Sequence, residues 1–453
     1  MMDERSLPQT SDEELPVVIV GAGAAGIAVA RRLLQAGRRI VILEAGSYVG
    51  GLWEIDNDND LSVAYESLHI NSEPRTTAYP GFPFPPDTPL FPDHRTVLRY
   101  LNDFTDAYDI RRHIRFNSKV VRVERDADGQ WTVQLGSGDS YEARHVVIAS
   151  GHLGVAAHPE EFRAKYEGEY LHVSEYRRPQ PFTGKRILVV GLGNSGLDAA
   201  SDLVSFAASV DNAVRSPVLV MPRMVLGMPT ARLLGYINRP WLPEIVKRQV
   251  QRTISRIFHG RMEQWGLRTP TTKTHPASSL TYMPAVAYGY IKVRPGIESV
   301  SGRRVTFVDG TSGEYDAVIA ATGYYIHLPF LGELAPVEDR RLDAYKRILH
   351  PDWEGLYFVG FFNANGGPNI SLMDVQSEYV TALVTGMLKR PSRAAMLGDI
   401  EIERDYLRVN YPSAERYGLE LESGRYIKQM RTLLAPVAVP APVAAPVLAS
   451  DAR

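Results

Sequence analysis

A glycine-rich turn near the start of the sequence has the spacing of a dinucleotide site. Gly21, Gly23 and Gly26 form the turn. A β-branched run at residues 17–20 precedes it, and an alanine-rich stretch at 24–36 follows it. This glycine spacing permits a tight turn, close approach of the backbone to a pyrophosphate, and packing of the next helix on the sheet, while the helix amides face the phosphates. The predicted cofactor-binding residues here are Gly21, Gly23, Ala24, Ala25 and Gly26.

An acidic residue stands where the adenosine ribose of that cofactor would lie. The predicted helix ends at Gly37, a second strand follows, and Glu44 terminates that strand about 20 residues beyond the turn. A carboxylate at this place accepts hydrogen bonds from both ribose hydroxyls, whereas it would repel a 2′-phosphate. Glu44 is therefore predicted to bind the cofactor, and the site favours FAD or NAD.

A second glycine turn differs from the first at the end of the following strand. The turn lies between an apolar run and an alanine-rich stretch, and the next predicted strand is followed by Arg215 and Ser216. A cation and a hydroxyl at this place suit a 2′-phosphate, so we assign NADPH to this turn. Its predicted binding residues are Gly191, Gly193, Asn194, Ser195, Gly196, Arg215 and Ser216.

The elements around the two turns are duplicated. Residues 120–151 and 291–323 each indicate a β-meander followed by a return strand, and residues 355–384 indicate a strand, a glycine-rich loop and a helix that complete the first domain. We predict an α/β fold with two Rossmann-like dinucleotide-binding domains, the NADPH domain being inserted in a discontinuous FAD domain. The predicted parts are 15–165 (FAD domain, first part), 166–325 (linker and NADPH domain), 326–430 (FAD domain, second part) and 431–453 (a disordered Pro/Ala-rich tail). Residues 241–290 have mixed helical and proline-rich character and are not placed.

The composition excludes several classes of chemistry. The chain has 453 residues, a formal net charge of -2 and no cysteine. The charge gives no support for nucleic-acid binding, and the lack of cysteine excludes disulfides, iron–sulfur clusters and thiolate relays. No metal-ligand cluster is evident, so no metal is predicted. Residues 1–15 are too polar and acidic for a signal peptide, and prolines interrupt the apolar tail, so we expect a cytoplasmic protein with no transmembrane anchor.

A bound FAD and a bound NADPH together describe a flavoprotein that is reduced by hydride. Disulfide reductases of this architecture need a pair of cysteines beside the flavin, which this chain lacks. The reduced flavin must therefore pass its electrons to a small molecule, to dioxygen or to an external redox protein.

The segment between the two turns resembles a known family. It matches Phe-x-Gly-x-x-x-His-x-x-x-Phe/Tyr, the motif of flavin-containing monooxygenases, with tyrosine in place of the first Phe. The four matching positions are Tyr166, Gly168, His172 and Tyr176. The resemblance extends over roughly residues 17–383 and includes "GGLWE" at 50–54, "GNSG" at 193–196 and "ATGY" at 321–324. Related Baeyer–Villiger enzymes usually carry Trp at position 176, so Tyr176 favours the flavin-containing branch.

The resemblance also implies roles for individual residues. Asn71 would lie near the reactive face of the flavin as the catalytic residue; its alternative is an amide that caps a turn. Gly168 would let the backbone pass close, Tyr176 would pack the nicotinamide side, and His172 would hydrogen-bond across the linker as a structural histidine rather than transfer a proton. The further cofactor-binding residues implied are Gly51, Leu52, Trp53, His69, Val121, Ser150, Gly151, Gln376, Thr322, Gly323 and Tyr324.

The activity that the resemblance implies is an NADPH- and O2-dependent monooxygenation. A flavin hydroperoxide would transfer one oxygen atom to a soft nucleophile, giving N- or S-oxygenation of a small molecule. The alternatives are Baeyer–Villiger oxidation of a ketone, oxidative decarboxylation as in YUCCA-type enzymes, an electron-transfer reductase, and a non-enzymatic redox sensor. Asn71 argues against the YUCCA-type reaction, since that branch has a different residue there. A homodimer stays open, and the aromatic residues are either pocket-lining or plain core: Tyr79, Phe82, Phe84, Trp241 and Tyr288.

Overall fold

The computed structural model describes residues 15–59, 61–237, 241–338, 340–365, 369–412 and 417–437. The predicted tail lies outside these residues from 438 onward, and so does the segment 1–14 used for the expectation about a signal peptide. The helices are α1 (Ala24–Gln35), α2 (Pro74–Thr77), α3 (His94–Ala107), α4 (Glu160–Lys165), α5 (Asn194–Leu203), α6 (Thr230–Ile237), α7 (Glu244–His259), α8 (Tyr282–Ala287), α9 (Asn369–Val384), α10 (Arg393–Asn410) and α11 (Ser423–Leu434).

The strands fall into two principal sheets and several small ones. In chain order they are β1 (Val17–Val20), β2 (Ile40–Leu43), β3 (Ile114–Arg115), β4 (Val120–Arg125), β5 (Trp131–Leu135), β6 (Ser140–Ala143), β7 (Val146–Ile148), β8 (Val155–Ala156), β9 (Glu169–His172), β10 (Arg186–Val190), β11 (Ser209–Ala213), β12 (Val220–Pro222), β13 (Met224–Val225), β14 (Met228–Pro229), β15 (Ala277–Ser279), β16 (Ile291–Arg294), β17 (Ile297–Ser301), β18 (Arg304–Phe307), β19 (Ser312–Glu314), β20 (Ala317–Ala320), β21 (Tyr324–Tyr325), β22 (Val337–Glu338), β23 (Arg341–Leu342), β24 (Leu356–Phe358), β25 (Asn363–Asn365) and β26 (Glu420–Glu422).

The first sheet is parallel and has the order β24-β7-β1-β2-β3. Its central strands are short apolar runs that are buried on both faces, as expected of a parallel sheet covered by helices. Because β24 comes from residues beyond 350 and pairs with β7, the chain returns to this sheet after a long excursion.

The second sheet is also parallel and has the order β16-β11-β10-β20-β9. Each sheet is accompanied by a three-stranded antiparallel meander, β4-β5-β6 for the first and β17-β18-β19 for the second. The duplicated order inferred from residues 120–151 and 291–323 is thus present, with β7 and β20 as the two return strands.

The segment left unplaced in the sequence belongs to a module inserted between β11 and β16. Helix α7 packs on the small sheet of β12 and β15, where Ser255 Oγ donates to the Val220 carbonyl at 2.8 Å. In the first unit, α9 lies along α1, and the buried Asp374 accepts a hydrogen bond from Arg32 Nε at 3.1 Å and another from Arg31. This ionic contact fixes the returning chain on the first nucleotide unit.

The fold-class prediction is confirmed: two parallel α/β nucleotide units, the second inserted in the first. The predicted boundaries at 165, 325 and 430 stay predictions. Within the described ranges, no helix combines the length and apolar character needed to cross a bilayer.

Candidate active site

The first glycine turn is built by close packing that a side chain would prevent. Gly21 has a φ of 103°, and a Cβ there would lie 2.8 Å from the Ala149 carbonyl oxygen. A Cβ on Gly26 would overlap the Gly21 carbonyl, so only glycine lets α1 approach the turn this closely. The N-cap of α1 is Gly23, with no side-chain cap, which leaves the helix terminus to an anion.

Glu44 lies at the mouth of this turn and is 3 % exposed. Its Oε2 accepts from the Ala22 amide at 2.7 Å, and its Oε1 accepts from the Gly46 amide at 3.0 Å. The carboxylate is therefore fixed beside the turn as an acceptor, as a ribose site requires. Val121 lies further along the passing chain, three residues after Ser118, whose amide donates to the Glu44 carbonyl at 2.7 Å.

Segments from two other places converge on the first turn. The "GGLWE" segment crosses it: the Gly50 amide donates to the Ala22 carbonyl at 3.1 Å, and a Cβ on Gly51 would lie 3.2 Å from the Gly23 Cα. In the same segment Leu52 is exposed and Trp53 packs on the core. The end of β7 brings Ser150 and Gly151, and the Ser150 Oγ is buried without a hydrogen bond among the described residues.

Gln376 supports the turn from behind. It is fully buried; its Oε1 accepts from the Gly360 amide, and its Nε2 donates to the Tyr426 hydroxyl, both at 2.9 Å. Gly360 lies directly against Ala25, since a Cβ there would be 2.9 Å from the Ala25 Cβ. The predicted binding residue therefore holds a backbone segment against the turn. The sequence alone does not point to Gly360 or Tyr426, because neither lies in a recognisable motif.

Asn71 lies on the segment between "GGLWE" and α2. It is half-buried, and its Oδ1 is buried without accepting a hydrogen bond from any described residue. A buried acceptor left unpaired is costly, so this atom suits a ligand that donates to it. Within the described ranges this oxygen caps no turn, so a turn-capping role for the Asn71 oxygen has no support. His69 nearby is exposed, and its Nδ1 lies 2.7 Å from the Ser67 carbonyl.

The second glycine turn repeats the construction of the first. Gly191 has a φ of 110°, and a Cβ on Gly196 would overlap the Gly191 carbonyl. Gly193 is the N-cap of α5, again with no side-chain cap. In the first turn of α5, Ser195 is half-buried, and Asn194 Oδ1 accepts from the Ser278 amide of the inserted module at 3.2 Å.

An arginine of the inserted module contacts Arg215, the residue predicted to bind the 2′-phosphate. Arg215 follows β11, is exposed, and its side chain runs over Gly296, where a Cβ would lie 3.5 Å from the Arg215 Cγ. Arg268 from the inserted module donates through Nη2 to the Arg215 carbonyl. Within the described ranges neither guanidinium forms an ion pair with a carboxylate, and Ser216 adjoins them. Arg268 escaped the sequence analysis because residues 241–290 carry no recognisable motif.

The carboxyl end of β20 forms a corner between the two units. The Thr322 hydroxyl donates to the Ala157 carbonyl at 2.5 Å, and Gly323 has a φ of 87°. Tyr324 meets the His172 ring edge-on at 5.1 Å between ring centroids. The structure thus places Thr322, Gly323 and Tyr324 together beside the linker motif.

His172 is a buried, neutral histidine. It is 0 % exposed, and burial lowers its pKa from the usual 6.5 to about 4. Its Nδ1 accepts from the Ser174 amide at 3.2 Å, which leaves the proton on Nε2. The lowered pKa agrees with a structural histidine, whereas Nε2 is buried without a hydrogen bond among the described residues, so the hydrogen bond across the linker stays a prediction.

The other linker residues pack the protein itself. The Tyr166 hydroxyl donates to the Tyr315 carbonyl at 2.8 Å, and its ring covers Gly168, where a Cβ would lie 2.5 Å from the Tyr166 Cζ. Gly168 therefore makes room for the phenol ring of Tyr166, whereas we expected it to let a backbone segment pass close by. Tyr176 is 1 % exposed and its hydroxyl lies 3.3 Å from Asp202. It therefore belongs to the core of the second unit, whereas we expected it on the nicotinamide side.

The aromatic residues considered for the pocket divide into core and surface. Tyr79, Phe82 and Phe84 pack with Tyr100 and Phe104 of α3, which agrees with the plain-core alternative. Trp241 and Tyr288 are 77 % and 75 % exposed.

Comparisons with known proteins agree with this geometry. The family model described as "FMO-like: Flavin-binding monooxygenase-like" matches residues 15–450. The dimethylaniline monooxygenase [N-oxide-forming] 2 of Mus musculus is 31 % identical over 87 % of this chain and 77 % of its own.

Two solved structures share the fold. The S-allyl-L-cysteine S-oxygenase from Allium sativum has a TM-score of 0.69 at 24 % identity, covering 92 % of this chain and 88 % of its own. The cyclohexanone monooxygenase from Rhodococcus sp. Phi1, bound to NADP+, has a TM-score of 0.68 at 17 % identity, covering 93 % and 97 %.

Proposed function

The chain belongs to the flavin-binding monooxygenase-like family and is an FAD- and NADPH-dependent monooxygenase, and from that premise we propose that its substrate is a small molecule with a soft nucleophilic nitrogen or sulfur. The overall reaction consumes the substrate, NADPH, H+ and O2, and gives the N-oxide or S-oxide, NADP+ and water. Reduced FAD supplies the oxygen-activating chemistry when bound, and NADPH supplies the hydride.

The residues of the first unit fit FAD. Gly21, Gly23 and Gly26 would leave the end of α1 open to the pyrophosphate, and Glu44 would accept from the ribose hydroxyls. Two buried oxygens without a hydrogen bond among the described residues, Ser150 Oγ at the end of β7 and Asn71 Oδ1, would offer acceptors to the flavin.

The residues of the second unit fit NADPH. Gly191, Gly193 and Gly196 leave the end of α5 to the pyrophosphate. The Arg268 guanidinium reaches the backbone carbonyl of Arg215, and neither arginine has a carboxylate partner in the described part of the chain, so both charges would be open to a 2′-phosphate. We propose that Arg268 binds this phosphate together with Arg215 and Ser216.

The observation that carries the proposed function is the Asn71 amide. Its buried, unpaired Oδ1 would accept a hydrogen bond at the reacting centre, and an uncharged amide would do so without taking up or releasing a proton. Transfer of oxygen to an amine or a sulfide then needs no nucleophile or metal from the chain. The relative that is named for forming N-oxides supports nitrogen as one target.

The experiment supplies purified protein with NADPH, 18O2 and one of three probes: N,N-dimethylaniline, methyl phenyl sulfide or cyclohexanone. We expect an N-oxide or a sulfoxide that carries one 18O atom, with NADPH consumed in proportion. A lactone as the main product would show a Baeyer–Villiger enzyme instead. NADPH oxidation that reduces an artificial acceptor and labels no product would show an electron-transfer reductase.

A further inference from the structure

The segment that carries Asn71 is fastened to the helix of the second glycine turn. Six residues before Asn71, the Tyr65 hydroxyl donates to the Asp198 Oδ2 of α5 at 2.7 Å. Four residues before it, the Ser67 hydroxyl donates to the Asp202 carboxylate of α5. Asp198 and Asp202 lie one helical turn apart and therefore on the same face of α5.

This contact is partly buried and lies against the core of the second unit. Tyr65 is 3 % exposed and packs in the core of the second unit, with Tyr176 at 6.1 Å between ring centroids. Burial raises the pKa of both aspartates, which indicates that each is withdrawn from water and depends on its hydrogen bonds. Asp198 also lies 3.4 Å from the Arg223 guanidinium. A buried hydrogen bond to a carboxylate is stronger than one between neutral groups.

The segment is held on its other side as well. Two residues after Asn71, the buried Glu73 pairs with Arg232 of α6, whose Nε donates at 2.8 Å. Between the two attachments, the Ile70 amide donates to the Pro92 carbonyl at 3.0 Å. Asn71 thus lies on a short span of the first unit with both ends bonded to the second unit.

We infer that Asp198 and Asp202 are positioning residues for oxygen transfer, which act through Tyr65 and Ser67 to hold Asn71 in place. The inference rests on the proposed role of Asn71. Helix α5 begins at the NADPH turn and reaches Asp202 two turns later, so the same rigid element orients the nicotinamide cofactor and the Asn71 segment. Reduction of the flavin does not need this span, whereas productive transfer of oxygen does.

The experiment removes single hydroxyl groups from the holoenzyme. Tyr65→Phe and Ser67→Ala delete the donors to the two carboxylates. Tyr315→Phe is the matched control, because the Tyr315 hydroxyl donates to the Asp211 carboxylate at the same 2.7 Å, is buried in the same unit, and does not touch the Asn71 segment. Ser67→Thr keeps a hydroxyl and tests for rescue.

Three quantities are measured: the rate of flavin reduction by NADPH without oxygen, the product formed per NADPH with oxygen, and amide hydrogen exchange over residues 65–72. We expect an unchanged reduction rate in every variant. In Tyr65→Phe and Ser67→Ala we expect faster exchange and product per NADPH lowered about threefold or more, within what one lost hydrogen bond to a carboxylate causes. Tyr315→Phe and Ser67→Thr should behave as the parent enzyme.

Two results would overturn the inference. The first is a product yield in Tyr65→Phe and Ser67→Ala equal to that in Tyr315→Phe. The second is an equal fall of the reduction rate and the product yield in Tyr65→Phe and Ser67→Ala, which would mean that the contact is merely structural. Failure of the proposed function is recognised separately. In that case the parent enzyme forms no oxygenated product, or Asn71→Ala keeps the full yield, whatever the Tyr65 and Ser67 variants do.

Discussion

Removing the guanidinium of Arg215 or of Arg268 should weaken the binding of NADPH and leave NADH almost unaffected. Arg215 follows β11, the Arg268 side chain reaches the Arg215 carbonyl, and neither guanidinium has a carboxylate partner among the described residues, so their positive charge is available to a 2′-phosphate. NADH lacks this phosphate and loses nothing when either guanidinium is removed. The two variants are Arg215→Ala and Arg268→Ala.

The magnitude follows from the exposure of the two groups. A hydrogen bond to a charged group is worth about 1.5–3 kcal/mol. Arg215 and Arg268 are both exposed, and solvent and salt screen exposed charges, so the lower end applies. A loss of about 1.4 kcal/mol corresponds to tenfold in Kd, so each variant should bind NADP+ about tenfold more weakly.

Calorimetric titration with 2′,5′-ADP and with 5′-ADP isolates the phosphate without turnover. We expect the affinity for 2′,5′-ADP to fall in both variants and the affinity for 5′-ADP to stay constant. The fall should shrink as salt rises, because the Debye length shortens from about 8 Å at 0.15 M to about 3 Å at 1 M. Arg408→Ala removes an exposed arginine from α10 as the control.

An equal loss for 2′,5′-ADP and 5′-ADP in Arg215→Ala would refute the assignment of NADPH from Arg215, since the guanidinium would then support the fold or the pyrophosphate. An unchanged affinity in Arg268→Ala would confine the phosphate site to Arg215 and Ser216. A loss in the Arg408→Ala control would show that the net charge of the protein, and not a local site, sets the affinity.

Three further predictions concern other parts of the site. Asn71→Ala should keep NADP+ affinity and lower the product per NADPH, with hydrogen peroxide rising to match; a full product yield would contradict its role. Gly168→Ala should lower the free energy of unfolding by about 1–3 kcal/mol, since its Cβ would lie 2.5 Å from the Tyr166 Cζ. Denaturant titration measures this loss of stability, and adding Tyr166→Leu to the Gly168→Ala variant should recover part of it. The pKa of His172 is lowered in the fold, so the unfolded chain binds the extra proton and stability falls as the pH drops from 6.5 toward 4. His172→Asn should make that decline shallower in unfolding titrations. An unchanged slope would mean that His172 is protonated as readily in the folded protein as in the unfolded chain.

The two nucleotide turns were predictable because their constraints are local. A positive φ at Gly21 and the contact of Gly26 with Gly21 involve residues close together in the chain, so their spacing appears directly in the sequence. The same holds for the end of α1, where Gly37 has a φ of 72°. The return of the chain to the first sheet was predictable from residues 355–384, where a strand, a glycine-rich loop and a helix follow one another.

The contacts that complete the site were not predictable, because they join residues far apart that no motif connects. Arg268 reaches the carbonyl of Arg215 from a segment with mixed periodicity. Gln376 was expected from the family resemblance. Its hydrogen bond with the Gly360 amide, however, forms only because α9 packs on α1. Hydrophobic character alone did not separate the buried Tyr79 from the exposed Trp241.

Gly168 shows how a correct residue can be assigned the wrong cause. The motif requires a small residue there, and we attributed this to a passing backbone; the structure attributes it to the ring of Tyr166. One residue of the linker motif, Gly168, is thus required by the packing of another, Tyr166. Tyr176 also packs within the protein, since its hydroxyl joins Ser67 at the Asp202 carboxylate. The motif residue and the Asn71 segment therefore share one acceptor on α5, and a change at Tyr176 should reach Asn71 through Asp202 without touching either cofactor turn.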